Sequence, residues 1–296
     1  MTEKRPLIVG IGEILWDMFP GGKEIGGTVA NFSYHAGGLG ADAIVVSCVG
    51  DDELGREMLE QFEAVGLGTD FISIDPEHPT GTVDIEVRSD GEPSYTIRTG
   101  VAWDFAAGKN TSSLAASADV ACFGSLAQRN PVSRATIRNF LSATRESCLR
   151  VCDINFRQNF FSLEVVTRSL EHANVLKVND EELPVVADLL ELEGDDDALL
   201  RQLAERFDLR LVALTSGERG SLLYSGGEFS SHPGVPVDVV DTVGAGDAFT
   251  AALAMALLAG DQLETINAKA NSLAAYVCSK KGGTPELPQE RPGVAT

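Results

Sequence analysis

Between positions 150 and 178 the chain reads Arg150-Val-Cys-Asp-Ile154, then Leu163-Glu-Val-Val-Thr-Arg-Ser-Leu-Glu171, then Val175-Leu-Lys-Val178. The outer runs are rich in Val, Ile or Leu on consecutive positions, as in strands covered on both faces. The middle run carries the spacing of a helix. Strand, helix, strand is the unit that joins parallel neighbours. The same alternation continues outward in both directions. Strands are predicted at Leu7–Ile11, Ala43–Cys48, Val120–Phe123 and Leu211–Leu214, and helices at Val29–Gly37, Glu53–Val65, Pro131–Thr144, Asp180–Leu190 and Asp197–Phe207. In Glu53–Val65 the apolar residues fall at 54, 58, 59, 62 and 65, which gives one apolar face. The pattern predicts an α/β fold: a doubly wound, mostly parallel sheet with helices on both sides. A hairpin, Ser221–Tyr224 and Glu228–Ser231 around Gly226-Gly227, follows the last parallel strand. Helices Ala245–Ala259 and Leu263–Lys281 then close the chain.

Two stretches break the alternation. Ile14–Phe19 stands where the first helix would be expected. Residues 71–98 read as three extended pieces, Phe71–Asp75, Gly81–Val87 and Ser94–Arg98, with Ser89-Asp-Gly91 as a hairpin turn. Thr82, Asp84 and Glu86 alternate with Val83, Ile85 and Val87, so one face is polar. We expect a single domain over 1–296, with a small β lid formed by about 13–25 and 71–100. Its apolar face could instead be the contact of a homodimer.

The chain has 296 residues, 44% hydrophobic and 23% charged. A chain this long buries about 75% of the surface its unfolded form exposes, so it needs no disulfide or metal to fold. Forty-four acidic against 23 basic side chains give a net charge of −21. Such a surface repels nucleic-acid phosphates and anionic lipid, so neither nucleic acid nor membrane is an expected partner. No span approaches the ~20 apolar residues of a membrane helix. The five cysteines (48, 122, 148, 152, 278) show no metal or disulfide spacing, and no signal peptide opens the chain. A reduced, cytoplasmic protein is expected. The four histidines (35, 78, 172, 232) are scattered, which argues against a His-based triad or metal site.

The strongest local motif is Asp241-Thr-Val-Gly-Ala-Gly-Asp247, running into the apolar Ala248-Phe-Thr-Ala-Ala-Leu253. Gly244 and Gly246 permit a tight turn and close backbone approach. The first amides of a helix lack internal partners and lie at its positive end, so Gly244, Ala245 and Gly246 outline an anion hole. Asp247, at its mouth, is either a helix cap or a catalytic base that the dipole keeps ionised. In Gly26-Gly-Thr-Val-Ala-Asn31, Gly26 and Gly27 let a ligand approach a helix start, where Asn31 offers donor and acceptor; a plain glycine-rich turn is the alternative. Gly12-Glu-Ile-Leu-Trp-Asp17 follows the first strand, and ligands bind at the carboxyl ends of parallel strands. Asp17 there can accept from two sugar hydroxyls, or simply form a turn.

Asp153-Ile-Asn155-Phe-Arg157 and Lys177-Val-Asn179-Asp-Glu-Glu182 lie at later strand ends. Asn and Glu suit a hydrated magnesium ion, although either cluster could be a cap or a surface ion pair. Leu214-Thr-Ser-Gly217-Glu-Arg-Gly220 lines a nucleotide base or makes an ordinary turn. Gly38-Leu-Gly40-Ala-Asp-Ala43 spells a dinucleotide-binding pattern but precedes a strand instead of following one, so that reading fails.

In combination and in order, from Gly10 to Pro288, these motifs resemble the ribokinase-like (PfkB) sugar kinases, and most closely bacterial fructokinases. Asp241–Asp247 resembles the C-terminal signature of that family. Gly26–Asn31 with Gly37–Gly40 resembles its N-terminal signature. Val49-Gly-Asp-Asp52-Glu-Leu-Gly55 and Lys281-Gly-Gly-Thr-Pro285 fall in the expected order. The resemblance implies ATP and Mg2+ as cofactors and a small sugar as substrate. It implies Asp247 as the base, and Gly244, Ala245 and Gly246 as the phosphate hole. Asp17, Gly26, Gly27, Asn31 and Arg157 would bind the sugar, with Trp16, Phe19 and Trp103 as walls. Asn179, Ser216, Gly217 and Gly220 would border the nucleotide. Glu182 would hold magnesium through water, and Asp241 would lie beside a potassium ion in potassium-activated relatives. Thr28-Val29 departs from the small residue and Pro common in fructokinases, and Glu286 stands where some relatives carry a small hydroxyl. D-fructose is the leading acceptor. 2-Keto-3-deoxygluconate, ribose and nucleosides are alternatives, and a non-catalytic sugar sensor is the reading from another class.

Overall fold

The computed structural model describes residues 5–19, 21–87, 93–108 and 111–288. Its strands are β1 (Leu7–Ile11), β2 (Leu15–Phe19), β3 (Gly22–Gly26), β4 (Asp42–Gly50), β5 (Ile72–Asp75), β6 (Thr82–Val87), β7 (Pro93–Ile97), β8 (Val120–Phe123), β9 (Leu149–Asp153), β10 (Val175–Asn179), β11 (Leu211–Thr215), β12 (Ser221–Ser225) and β13 (Glu228–His232). Its helices are α1 (Thr28–Gly38), α2 (Glu53–Ala64), α3 (Ser112–Ser117), α4 (Pro131–Ser142), α5 (Leu163–His172), α6 (Glu182–Leu190), α7 (Asp196–Phe207), α8 (Ala245–Ala259) and α9 (Leu263–Cys278).

The large sheet has the order β13-β12-β11-β10-β9-β8-β1-β4-β5. From β11 to β5 every neighbouring pair is parallel; β12 and β13 add the predicted antiparallel hairpin. Alternate residues of each parallel strand enter opposite cores. In β11, Leu211 and Ala213 pack with α8 and α9, whereas Val212 and Leu214 pack with α6 and α7. Burial on both faces is why these strands read as unbroken apolar runs. The chain winds from β1 to β4 and β5 on one side, then returns to β8 and continues to β11 on the other. The crevice above β1 and β8 is therefore the switch point where a doubly wound sheet gathers its ligands.

The second sheet has the order β3-β2-β6-β7. Two expectations about it need correction. Phe71–Asp75 does not join it: β5 pairs with β4, Ile72 opposite Ser47, as the edge of the large sheet. Nor is its apolar face free for a partner. Val83, Ile85 and Ile97 are buried with Leu15 and Trp103 in the chain's own core. The large apolar side chains it exposes, among the described residues, are Phe19 and Tyr95. The Ser89–Gly91 turn lies outside the described residues. β3 was hidden because its ends, Gly22 and Gly26, look like turn residues.

One connection between the sheets is pinned by the Asp52 motif. Asp52 caps α2 by accepting from the Gly55 amide at 2.8 Å, and its other oxygen accepts from the Thr80 amide at 2.8 Å. The Thr80 hydroxyl also donates to it at 2.6 Å. Thr80 leads into β6. Asp52→Ala should cost about 1–2 kcal/mol, the upper range for a lost cap. Urea unfolding would measure this, and a loss near zero would show that the tie to Thr80 is incidental.

Among the described residues no helix is long and apolar enough to cross a membrane.

Candidate active site

The α8 helix begins at Gly244, whose φ is +74°, and no side chain caps it. Asp247 is therefore not a cap. Its carboxylate turns toward α1, where Asn31 Nδ2 donates to Asp247 Oδ2 at 2.8 Å. The Ala245 amide donates weakly to Thr242 O at 3.3 Å, whereas the Gly244, Gly246 and Asp247 amides find no acceptor among the described residues. Free amides beside a half-buried carboxylate, at the positive end of a 15-residue helix, form a site that can hold an anion and accept a proton.

The glycines here are dictated by contact. A Cβ on Gly244 would stand 2.5 Å from Gly283 O. That carbonyl is held from behind by His35, whose Nε2 lies 2.9 Å from it. Burial pushes His35 down to about 4, with the bond to Gly283 opposing, so the ring is neutral and donates here. Asp241 stitches the same two loops together: its oxygens accept from Val243 N and Gly282 N, each at 3.0 Å.

Asp247 keeps part of its surface open to the cleft, yet most of its surroundings are protein. Loss of water pushes its carboxyl up to about 7, and the nearby Asp153 adds to the rise. The Asn31 bond, Lys177 and Arg157 act in the opposite sense. The expectation of an Asp247 kept ionised is thus corrected: burial and the neighbouring Asp153 raise its carboxyl to about 7.

On the acceptor side, Asp17 lies on β2 opposite Glu24 of β3. Burial raises its carboxyl to about 6; Arg157 opposes the rise and Glu24 adds to it. The Asp17 carboxylate covers Gly26, where a Cβ would collide with it. Gly27, at φ +110°, brings the start of α1 down onto the β1–β2 turn: a Cβ there would stand 2.5 Å from Glu13 O. Arg157 is exposed on the loop after β9, near enough to Glu13, Asp17 and Asp247 for its charge to act on all three. The same loop is tied to α1 by Asn155 Nδ2, which donates to Thr28 Oγ1.

Trp103 requires a correction. It is 1% exposed, inside the core, with the Arg129 guanidinium 4.0 Å over its ring. Trp16 is equally buried and donates to Leu54 O at 3.0 Å. Both are core residues, and of the three aromatic walls expected only Phe19 is exposed.

At the end of β10, Asn179 and Glu182 form a reciprocal capping box. Asn179 Oδ1 accepts from Glu182 N at 2.8 Å, and Glu182 Oε2 accepts from Asn179 N at 2.9 Å. Glu182 Oε1 accepts from Phe156 N at 3.0 Å, which joins the loops after β9 and β10. Among the described residues no group of three His, Cys, Asp or Glu could grip a bare metal. Glu182 is buried and both its oxygens already accept backbone amides, so it would reach a magnesium ion only through water. After β11, Ser216 N donates to Gly220 O at 2.8 Å. Gly220 is buried, at φ +86°, against His232 O, whereas Gly217 has open space around its Cα.

Two groups that sequence reasoning left without a role lie beneath all this. Lys177 Nζ meets Asp153 Oδ1 at 3.1 Å, and both side chains are buried. The available signal was a lysine inside a strand covered on both faces, which requires a buried counter-charge.

With this geometry in view, a scan of known families matches residues 18–290 to the pfkB family of carbohydrate kinases. The chain is 28% identical to a fructokinase of Klebsiella pneumoniae over an alignment of 309 positions, gaps included, which covers 94% of this chain and 95% of that one. A sugar kinase of Pyrococcus horikoshii solved in complex with ATP superposes with TM-score 0.81 at 25% identity, covering 94% of each chain. A fructokinase of Xylella fastidiosa with bound ATP superposes with TM-score 0.85 at 21% identity, covering 95% of each, and speaks for the fold.

Proposed function

Because the chain belongs to the pfkB family of carbohydrate kinases, we propose that it transfers the γ-phosphoryl group of ATP to a primary hydroxyl of a small neutral sugar, D-fructose first. The observation that carries this reading is the Asp247 carboxylate beside the free helix-start amides, above the ends of the parallel strands. Asp17 and Asn31 bind and orient the sugar hydroxyls. Asp247 takes the proton of the attacking hydroxyl. The Gly246 and Asp247 amides hold the oxygens of the transferring group. A loose transition state needs mostly positioning and late proton acceptance, so a base that titrates near neutrality suffices. Asn179 and Glu182 would hold a hydrated magnesium ion, which would supply neutralisation of phosphate charge. The small sheet, reached by short connections from the large one, is suited to cover the sugar.

Charge favours an uncharged acceptor. Asp17 and Asp247 bring two carboxyls to the acceptor space; Arg157 opposes both and Lys177 opposes Asp247, while Glu24 pairs with Lys281 at 3.5 Å, so the charges nearly balance. Arg157 is also the one observation that favours a second reading, a sugar acid, since a guanidinium fork pairs with a carboxylate through two bonds. A coupled assay across fructose, ribose, 2-keto-3-deoxygluconate and nucleosides decides. Fructose should be turned over best. Turnover best on a nucleoside with fructose inert would overturn the assignment, and loss of sugar-acid turnover alone in Arg157→Ala would favour the second reading.

A further inference from the structure

Lys177 projects from β10 under the first turn of α8. A Cβ on Gly246 would stand 3.2 Å from its Nζ, so Gly246 is bare because the ammonium fills that space. The ammonium pairs with Asp153 Oδ1 at 3.1 Å. Asp153 Oδ2 lies 2.9 Å from the Thr250 hydroxyl, which is also 2.8 Å from Gly246 O; its single proton serves one of them at a time. Ion pair, hydroxyl and first helical turn thus make one buried cluster directly below the free amides. Burial opposes the charge on Lys177, but Asp153, then Glu182, hold it protonated.

We infer that the Lys177–Asp153 pair, with Thr250, is a positioning device of the phosphoryl-transfer site: it seats the first turn of α8 on the strand ends and balances the charge beneath Asp247. The inference rests on the kinase reading for its purpose, though not for its geometry. The groups that face Asp247 are Asn31 from α1, Asp153 from β9, Lys177 from β10, Arg157 from the loop after β9 and the Cys122 thiol from β8. Of these, Lys177 and Asp153 are the buried charges, and they cancel. Removing one member leaves the other uncompensated. Without Lys177, Asp153 and Asp247 are two neighbouring carboxylates that resist joint ionisation. Without Asp153, Asp247 faces an ammonium that keeps only the weaker counter-charge of Glu182.

The test compares Lys177→Met, Asp153→Asn and the double variant with wild type. Two readouts are taken: the 13C NMR titration midpoint of the Asp247 carboxyl, assigned by its absence in Asp247→Asn, and the acid limb of kcat/KM. Lys177→Met should move the midpoint up and Asp153→Asn down, each by on the order of one pH unit, the range for a neighbouring charge. The double variant should return close to wild type. A merely structural pair would not move the midpoint in opposite directions. Equal midpoints in all four proteins, or shifts of the same sign, would overturn the inference. Should Lys177→Met fail to fold, Asp153→Asn and the charge-free double variant still decide. A wild type that phosphorylates no sugar counts against the kinase reading alone, because the NMR midpoints remain measurable.

Discussion

Asp247→Asn is expected to lower kcat by on the order of 10³-fold, the mid-range for a general base, while sugar binding persists. The amide has the same shape. Its oxygen can still accept from Asn31 Nδ2, which lies 2.8 Å from Oδ2 in the native site. The free amides of Gly246 and Asp247 stay in place because they belong to the helix start. What disappears is the proton acceptor. Sugar affinity by calorimetry and turnover by coupled assay separate the two, and a variant as fast as wild type would remove Asp247 from the mechanism. In wild type, kcat/KM should climb as pH passes through about 7, where the carboxylate becomes ionised, and that limb should vanish in the variant.

The same substitution carries a stability consequence of known sign. A carboxyl raised in the folded state holds its proton more tightly there than in the unfolded chain. Ionising it therefore costs stability progressively as pH rises from about 4 through about 7. The neutral amide escapes that cost. Asp247→Asn should melt above wild type at pH 8, with the gap closing toward pH 5. This is the trade expected where a site is built for chemistry and not for stability.

Gly244→Ala is the second large effect. At φ +74° an alanine is strained by about 1–2 kcal/mol, and its Cβ would stand 2.5 Å from Gly283 O. That carbonyl cannot retreat freely, because His35 holds it from behind and Asp241 ties the adjoining amide. The first turn of α8 must shift instead, and the free amides shift with it. A displacement near 1 Å costs on the order of 10²-fold in rate. We expect kcat to fall by about that factor with sugar KM little changed. Gly260→Ala separates strain from collision. It sits at the other end of the same helix, at φ +77°, with nothing within 4 Å of a new Cβ. It should lower the melting temperature but leave kcat near wild type. Equal loss of kcat in both variants would mean that strain alone, and not the Gly244–Gly283 contact, governs the site.

The alternation of apolar runs and helical spacing was enough to read the parallel sheet, since strands buried on both faces leave an unmistakable local composition. The Asp241–Asp247 motif was legible for a similar reason. Gly-x-Gly followed by an apolar helix describes backbone geometry within one short segment. The reading faltered where a residue's partner is distant in the chain. Asp247 could be a cap or a base until Asn31, 216 residues away, was seen bonded to it. Phe71–Asp75 could join either sheet, because an extended segment does not name its neighbour. An aromatic near a strand end, such as Trp103, suits either a wall or a core, and only packing distinguishes them. Lys177 stood in plain view inside a strand, yet its meaning depends on Asp153 beside it and Gly246 above it.

The residues alone therefore determined the layered α/β architecture, the glycine-flanked helix start and the acidic character of the molecule, because each follows from local composition and backbone propensity. The protonation of Asp247, the reason for each glycine around it and the sheet to which each extended segment belongs were decided by tertiary structure. Desolvation, collision and strand pairing act through space, between groups that chain order holds far apart.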